Sequence, residues 1–382
     1  VHPAVKVALV IDRFDPRVGG REQWTVGFAA HLLEREHEVH VVAFSEANHT
    51  LQIRAHILPQ ARRMLERARC VAASIAILKP DVVHDGGTSW SGHVFQPHTG
   101  SRRLSEATLR TTQPQLRRLR SLISPRDWRY RWHLARLEQL QARNARRIIA
   151  LSHRLRGLLA ERHGVAPERI TVIPNGVDTQ RFAPSLRAGL RLPTRRALRL
   201  GDGTLFLTVA HNPRLKGVDT AMRALASLRQ EGADVRLAIA GGPADAFWTK
   251  LASRLDIRDR VHFLGPVTDM APLFAAADVL VHPTRWDACS LATIEGLAAG
   301  LPVITTAMNG ASELIVDGRS GFVLPDPEDV SALAAHMRHL LCPDMRRSIG
   351  AAAREAALQH DSRDNFSAVE QVLLQVTEEC RQ

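Results

Sequence analysis

Short apolar, β-branched runs alternate along the whole chain with longer stretches of helical spacing. Residues 5–11, 38–44, 81–84 and 147–152 predict four buried strands in the first half. Residues 205–210, 235–240, 261–264, 278–282 and 302–306 predict five more in the second half. Between and after them, residues 21–35, 153–163, 270–277, 291–299, 329–341, 345–359 and 367–376 read as helices, as does the segment that ends at Gln230. Gly300 and Pro302 punctuate the 291–299 helix in the way helix ends commonly are. Strand–helix alternation predicts α/β layers with parallel sheets, in which ligands bind at the carboxyl ends of strands. Residues 185–199, rich in arginine, read as a surface excursion.

Length turns this pattern into two domains, since 382 residues can bury two separate cores. No apolar run approaches the roughly 20 residues of a membrane span. Residues 5–11 are too short for a secretory leader and run straight into a strand pattern. Cys70, Cys289, Cys342 and Cys380 lack paired spacing, which fits reduced thiols and a cytoplasmic setting rather than zinc or a disulfide frame. A net charge of +12 asks for an anionic partner: nucleic acid, an acidic membrane face or a phosphorylated substrate. The charge is uneven. Residues 101–147 hold thirteen arginines against Glu106, Asp127 and Glu138. Within that segment Trp128, Trp132 and Ala135 form one apolar stripe, and Tyr130, Leu134 and Leu137 form another. A helix apolar on two sides needs two partners. One is its own domain; the other is either further core or a membrane interface.

Candidate chemistry sits at strand ends. Asp287 lies in the loop after the 278–282 strand, and Glu295 lies eight residues on, in the following helix. The helix start at Ser290 and Leu291 offers N–H groups to an anion. Arg214 and Lys216 stand between a strand and a helix N-terminus, where cations can neutralise a diphosphate. Gly19-Gly20 opens the first helix and lets a backbone come close to a bound group. His98 ends a strand, placed to touch a sugar hydroxyl or an anion. Each residue also has a plain reading, as a solvated loop, a tight turn or a hydrogen-bonded histidine.

Taken together, residues 277–327 resemble the donor-binding signature of retaining GT-B glycosyltransferases of family 4. His282-Pro283-Thr284, Asp287 and Glu295 at the family spacing, Gly300-Leu301-Pro302-Val303 and Asn309-Gly310-Ala311-Ser312-Glu313-Leu314-Ile315 carry the resemblance. Asp287 stands where the family usually has Glu. Lys216-Gly217, Gly19-Gly20-Arg21-Glu22 and the hinge turn Asn175-Gly176-Val177-Asp178 extend it. Arg214 is an inexact match, with Ala210-His211 where the family often has Gly-Arg.

The resemblance implies a GT-B fold, two Rossmann-like domains facing a central cleft. An acceptor-side domain would span 1–178 and be completed by a helix at 362–382, with a nucleotide-sugar domain at 179–361. It implies sugar transfer from a nucleotide sugar to an acceptor hydroxyl with retention. Lys216, Arg214 and N–H groups near Ser290, Leu291, Gly19 and Gly20 would assist the leaving diphosphate. Glu295 would hold ribose and Asp287 the donor sugar, and His98 would position sugar and acceptor. The strand ends at Gly242 and Val267 would cradle the base. No D-x-D triplet occurs, so neither a metal nor another cofactor is expected.

The chain looks most similar to the lipopolysaccharide core glucosyltransferase I group. That implies UDP-glucose, an anionic lipid-linked acceptor and a peripheral place on the cytoplasmic face of the membrane through 101–147, without nucleic acid. A GT-B glycosyltransferase for another cell-surface glycan or a small-molecule acceptor, a sugar-nucleotide epimerase of the same fold, a basic nucleic-acid-binding protein and a silent membrane-binding paralogue remain open as other readings.

Overall fold

The computed structural model describes residues 4–47, 49–113, 115–242 and 245–381. Pro243, part of the expected strand end at Gly242, lies outside them. The chain divides into two units, Val1–Pro174 with Arg363–Gln382, and Asn175–Ser362.

The first unit holds a seven-stranded sheet: β1 (Lys6–Val10), β2 (Glu38–Ala43), β3 (Arg54–Ile57), β4 (Val82–Asp85), β5 (Val94–Phe95), β6 (Arg147–Ala150) and β7 (Ile170–Val172). All pairings are parallel, in the order β3-β2-β1-β4-β5-β6-β7. The chain lays strands outward on one side of β1, then returns to lay β4 on the other. The crevice at the carboxyl ends of β1 and β4 is therefore a topological switch point. The helix Ser362–Arg381 belongs mostly to this unit and is longer than the periodicity predicts. Its Val369, Leu373 and Val376 pack with Leu9, Trp24 and Phe28, and Asn365 accepts a hydrogen bond from Trp24 Nε1 at 2.8 Å.

The second unit holds six parallel strands: β8 (Thr204–Ala210), β9 (Val235–Gly241), β10 (Val261–Gly265), β11 (Val279–His282), β12 (Val303–Thr306) and β13 (Phe322–Leu324). Their order is β10-β9-β8-β11-β12-β13, so the switch point lies between β8 and β11. The apolar runs are continuous because both faces of each sheet are covered, and β11 is buried throughout.

Three expectations need correction. First, 185–199 is not an irregular excursion but an ordered surface helix with one anchored face. It forms the helix Leu186–Ala197, whose Arg187, Arg191 and Arg195 lie one turn apart and converge on buried Asp278, with N···O distances of 2.7, 2.9 and 2.6 Å. An arginine face usually meets water; this one meets an acid 83–91 residues away in sequence. Second, the unit boundary falls before Asn175 rather than after Asp178. The Asn175 side chain donates to Cys289 O at 2.8 Å, and the Val177 N–H donates to His360 O at 3.0 Å. Third, the stripes of 101–147 divide differently. Three helices, Arg102–Thr111, Gln115–Ile123 and Pro125–Asn144, form there. Leu134 and Leu137 are buried, whereas Trp128, Trp132 and Tyr130 are exposed. Strand β3 and the helices Met64–Leu78 and Ala246–Arg254 add to the elements that the sequence pattern predicts.

Candidate active site

In the second unit, chemistry gathers where β8 and β11 end. Leaving β8, residues 211–217 turn into the helix Val218–Gln230. Gly217 makes the turn possible. It adopts φ +67°, and a Cβ there would lie 2.0 Å from the Pro283 carbonyl oxygen. The loop is pinned to the segment after β11 by Thr284 Oγ1 and the Arg285 N–H, both donating to Leu215 O at 3.1 and 2.8 Å. Arg285, nearly buried, donates twice to Asp219 at 2.9 Å and also pairs with Glu328.

These restraints bring Lys216 and Asp287 together as an ion pair, with each side chain less than one-fifth exposed. The Asp287 backbone is clamped to residues 308–310: its N–H donates to Met308 O at 3.1 Å, and its carbonyl accepts from Gly310 at 3.0 Å. Burial works to raise the Asp287 carboxyl, but the Lys216 ammonium and the His282 ring outweigh it and hold the group well below the usual carboxylate range. Asp287 is therefore an acceptor throughout the neutral range. The His282 ring, kept neutral chiefly by burial, lies 3.3 Å from Ser290 Oγ.

Ser290 caps the helix Leu291–Ala298 through Thr293 N. Its own N–H is already used by Asn309 Oδ1 at 3.1 Å, so the expected anion contact would fall to the N–H groups that follow, beginning at Leu291. Asn309 also donates to Thr293 and Thr305 at 2.9 and 3.0 Å, and so ties the helix start to β12. Glu295, on that helix, is buried, and its carboxylate has no hydrogen-bond or ion-pair partner among the described residues. Burial pushes it up to about 7, with the Arg181 charge opposing. A buried carboxyl poised near neutrality and lacking partners is a characteristic functional arrangement. Arg214 lies with its guanidinium 4.2 Å above the Phe247 ring. Gly242 donates to Ala210 O at 2.9 Å and holds the ends of β8 and β9 together; Val267 is half-buried in the loop after β10.

The first unit has its own cluster at the β1/β4 switch point. Gly19 is extended at φ 178° and precedes the helix Gly20–Glu34. Arg21 in the first turn pairs with Glu22 and Asp12 at 2.7 and 3.3 Å. His98 lies against Trp24 with ring centroids 4.5 Å apart, and its buried Nε2 has no partner among the described residues. Burial, with His84 and Arg21 nearby, holds its pKa well below the ordinary histidine value, so the ring is neutral.

The family resemblance, rather than residue type and spacing alone, singles out Lys216, Asp287 and Glu295, and it does not mark Asn309 or Arg285 as organisers of the loops around them. The only sequence cue for the tight approach at Gly217 is the Lys-Gly dipeptide.

Comparison with known proteins bears on the fold and the family. Residues 203–342 match the family described as glycosyl transferases group 1, and residues 18–181 match glycosyltransferase family 4. A D-inositol 3-phosphate glycosyltransferase of Salinispora tropica is 35% identical over 225 residues, 55% of this chain and 46% of that protein. The lipopolysaccharide glucosyltransferase WaaG of Escherichia coli K12 is 32% identical over 211 residues, 53% of this chain and 54% of that one. The chain thus spans about half the length of the curated relatives it matches. The crystal structure of WaaG, a glycosyltransferase involved in lipopolysaccharide biosynthesis, superposes with a TM-score of 0.81 at 24% identity, covering 96% of this chain and 99% of that one. Two doubly wound parallel units, matching family segments in both and a shared fold across nearly the full length lead to one conclusion: the chain belongs to glycosyltransferase family 4 and has the GT-B fold.

Proposed function

We propose that this chain is a retaining glycosyltransferase that moves glucose from UDP-glucose to a hydroxyl of an anionic, lipid-linked glycan such as a lipopolysaccharide core. The observation that carries the transferase reading is the Lys216–Asp287 pair at the β8/β11 switch point, with unpartnered Glu295 on the helix that follows. In this reading Lys216, Arg214 and the N–H groups from Leu291 onward receive charge on the departing diphosphate, and the Gly19-Gly20 loop adds backbone donors. Electrostatic stabilisation of this kind does not call for a metal, and turnover is expected to persist in a chelator. Glu295 binds ribose hydroxyls and Asp287 the donor sugar. Neutral His98 orients sugar and acceptor, while Gly242 and Val267 flank the base. The leaving phosphate takes the acceptor proton. The glucose and lipopolysaccharide assignments lean on the likeness to WaaG.

A thermal-shift panel of UDP-, GDP- and ADP-sugars tests the donor reading. Stabilisation by UDP-glucose, lost in both Lys216→Ala and Glu295→Ala, supports it; an undiminished response in the variants removes their roles. The anomeric configuration of the product, read by NMR, tests retention.

A membrane contact through 101–147 is part of the same proposal. The helix Gln115–Ile123 exposes Leu116, Leu119, Leu122 and Ile123, while Arg117, Arg118 and Arg120 are also exposed. Trp128, Tyr130 and Trp132, each at least half exposed, continue this apolar and basic surface on the next helix. Aromatic, aliphatic and arginine side chains together suit the interface of an anionic bilayer. No helix among the described residues is long and apolar enough to cross one. Co-sedimentation with anionic liposomes should drop in Trp128→Ala/Trp132→Ala; unchanged binding would overturn the contact.

A further inference from the structure

Arg102 is a half-buried cation whose side chain has no ion pair or hydrogen bond among the described residues. It opens the helix Arg102–Thr111 beside the Gly86-Gly87 turn, at the carboxyl end of β4. Its Nη2 lies 3.2 Å from where a Gly87 Cβ would stand. Arg21 Cδ and His98 Cδ2 lie 4.0 and 3.7 Å from the corresponding point on Gly86. Two glycines without side chains thus form a floor flanked by two guanidiniums and a neutral imidazole.

The acids nearby are committed elsewhere. Asp85 accepts from the N–H groups of Gly87, Thr88 and Ser89 at 2.7–2.8 Å. Glu138 accepts from Ser101 Oγ and the Arg103 N–H. Asp12 pairs with Arg21 and Arg67, and Glu22 with Arg21. No ion pair or side-chain hydrogen bond of Arg102 occurs among the described residues, although Asp12, Asp85 and Glu138 are near enough to act on its charge. Burial and the Arg21 charge lower its pKa, without approaching neutrality for a guanidinium. A half-buried guanidinium without an ion pair, set over a glycine floor with a second arginine beside it, fits an oxyanion brought by a ligand. His98 Nε2 and Thr88 Oγ1 are buried polar atoms without partners in the same turns, a second sign that the pocket is completed by something absent from the chain. The position is the switch point of the first sheet, where such folds hold ligands.

We infer that Arg102, backed by Arg21 over the Gly86-Gly87 turn, forms a phosphate subsite on the first unit that binds a phosphoryl group of the acceptor. The inference rests on the glycosyltransferase reading and names the acceptor chemistry: a phosphorylated sugar or polyol, the phosphate held bidentately and a hydroxyl presented toward His98. The donor's diphosphate is the other possible source of a phosphoryl group.

Isothermal titration of the full chain with inorganic phosphate, and separately with UDP, distinguishes the two sources. Phosphate should bind the wild type, weaken at least tenfold in Arg102→Ala, and weaken less in Arg102→Lys, which keeps the charge without the fork. UDP binding should change less than twofold in Arg102→Ala and fall strongly in Lys216→Ala. Unchanged phosphate binding in Arg102→Ala overturns the subsite and marks any phosphate binding as an adventitious ion only. Loss of UDP binding in Arg102→Ala reassigns the subsite to the donor and overturns the acceptor role. Should Arg102→Ala not fold, by circular dichroism, the Arg102→Gln variant carries the same comparison. If UDP does not bind the wild type while phosphate does, the donor reading fails and the subsite stands.

Discussion

The two switch-point sites are built from similar parts and left in opposite states. Each lies between the first strand of its sheet and the strand laid on its other side, and each has a glycine turn and a basic residue. In the second unit the cation is paired: Lys216 meets Asp287, and an entering anion must share or displace that partner. In the first unit Arg102 has no partner within the described residues, and an entering anion would supply one. A paired cation already has its charge compensated, so an entering anion competes with that partner. A half-buried cation without an ion pair gains a counter-charge when the anion arrives. The difference suits a donor site that must release a nucleotide diphosphate after each turnover, and an acceptor site that must discriminate.

The largest effect should come from Lys216→Ala. Removing a positioned charge from a developing diphosphate should lower transfer by about 10²–10³-fold, or about 2.7–4 kcal/mol, measured as turnover at saturating donor. A loss smaller than tenfold would put the transition-state charge elsewhere and break the contrast.

Next is Gly217→Ala. Its Cβ would meet a backbone carbonyl that cannot swing away, at a left-handed φ. We expect roughly 3 kcal/mol of destabilisation in denaturant unfolding. Gly87→Ala, the matching turn in the first unit, would meet only the far end of the Arg102 side chain. Its cost should be about 1–2 kcal/mol, mostly backbone strain at φ +113°, with phosphate binding weakened as Arg102 is pushed aside. Equal costs would show that side-chain packing, not backbone contact, sets both turns.

The smallest effect is a pH dependence. Glu295 sits near 7 when folded, above its unfolded value. Folding therefore favours its protonated form, and stability falls as pH rises from about 4.5 through 7 before levelling off. Glu295→Gln removes that loss. Its melting temperature should exceed the wild type at pH 8 by the equivalent of roughly 1–2 kcal/mol, and match it at pH 4. Asp287 runs the other way: its pair stabilises above the ordinary carboxylate range, and that contribution is lost as pH falls through it. A Glu295→Gln variant with no advantage at pH 8 would mean the carboxyl has an acceptable charged environment after all.

Much of the fold was legible because parallel strands covered on both faces must be continuously apolar, as β8 and β11 are, and their helices must be amphipathic. Edge strand β3 escaped for the same reason: it is mostly exposed and carries no such signature. The arginines of 187–195 misled because charge in a sequence ordinarily means solvent. Nothing local in Asp278, sitting at the start of an apolar run, announces three cationic partners. In 101–147 the spacing identified the stripes but not their sides, since Trp128 and Leu134 are equally apolar and only packing separates them.

Local chemistry along the chain was enough to determine the alternation of strands and helices and the two-domain scale, and the likeness to a family signature added Lys216, Asp287 and Glu295 as residues worth watching. Periodicity and residue type are properties of neighbours in sequence. Which cation is paired and which is not depends on distances between residues far apart in sequence. Lys216 finds Asp287 seventy-one residues away because Gly217 lets two backbones touch. Arg102 has no ion pair among the described residues, and nearby Asp85 accepts from backbone N–H groups. Only the folded chain decides such pairings, because it sets which donors come within reach of each carboxylate.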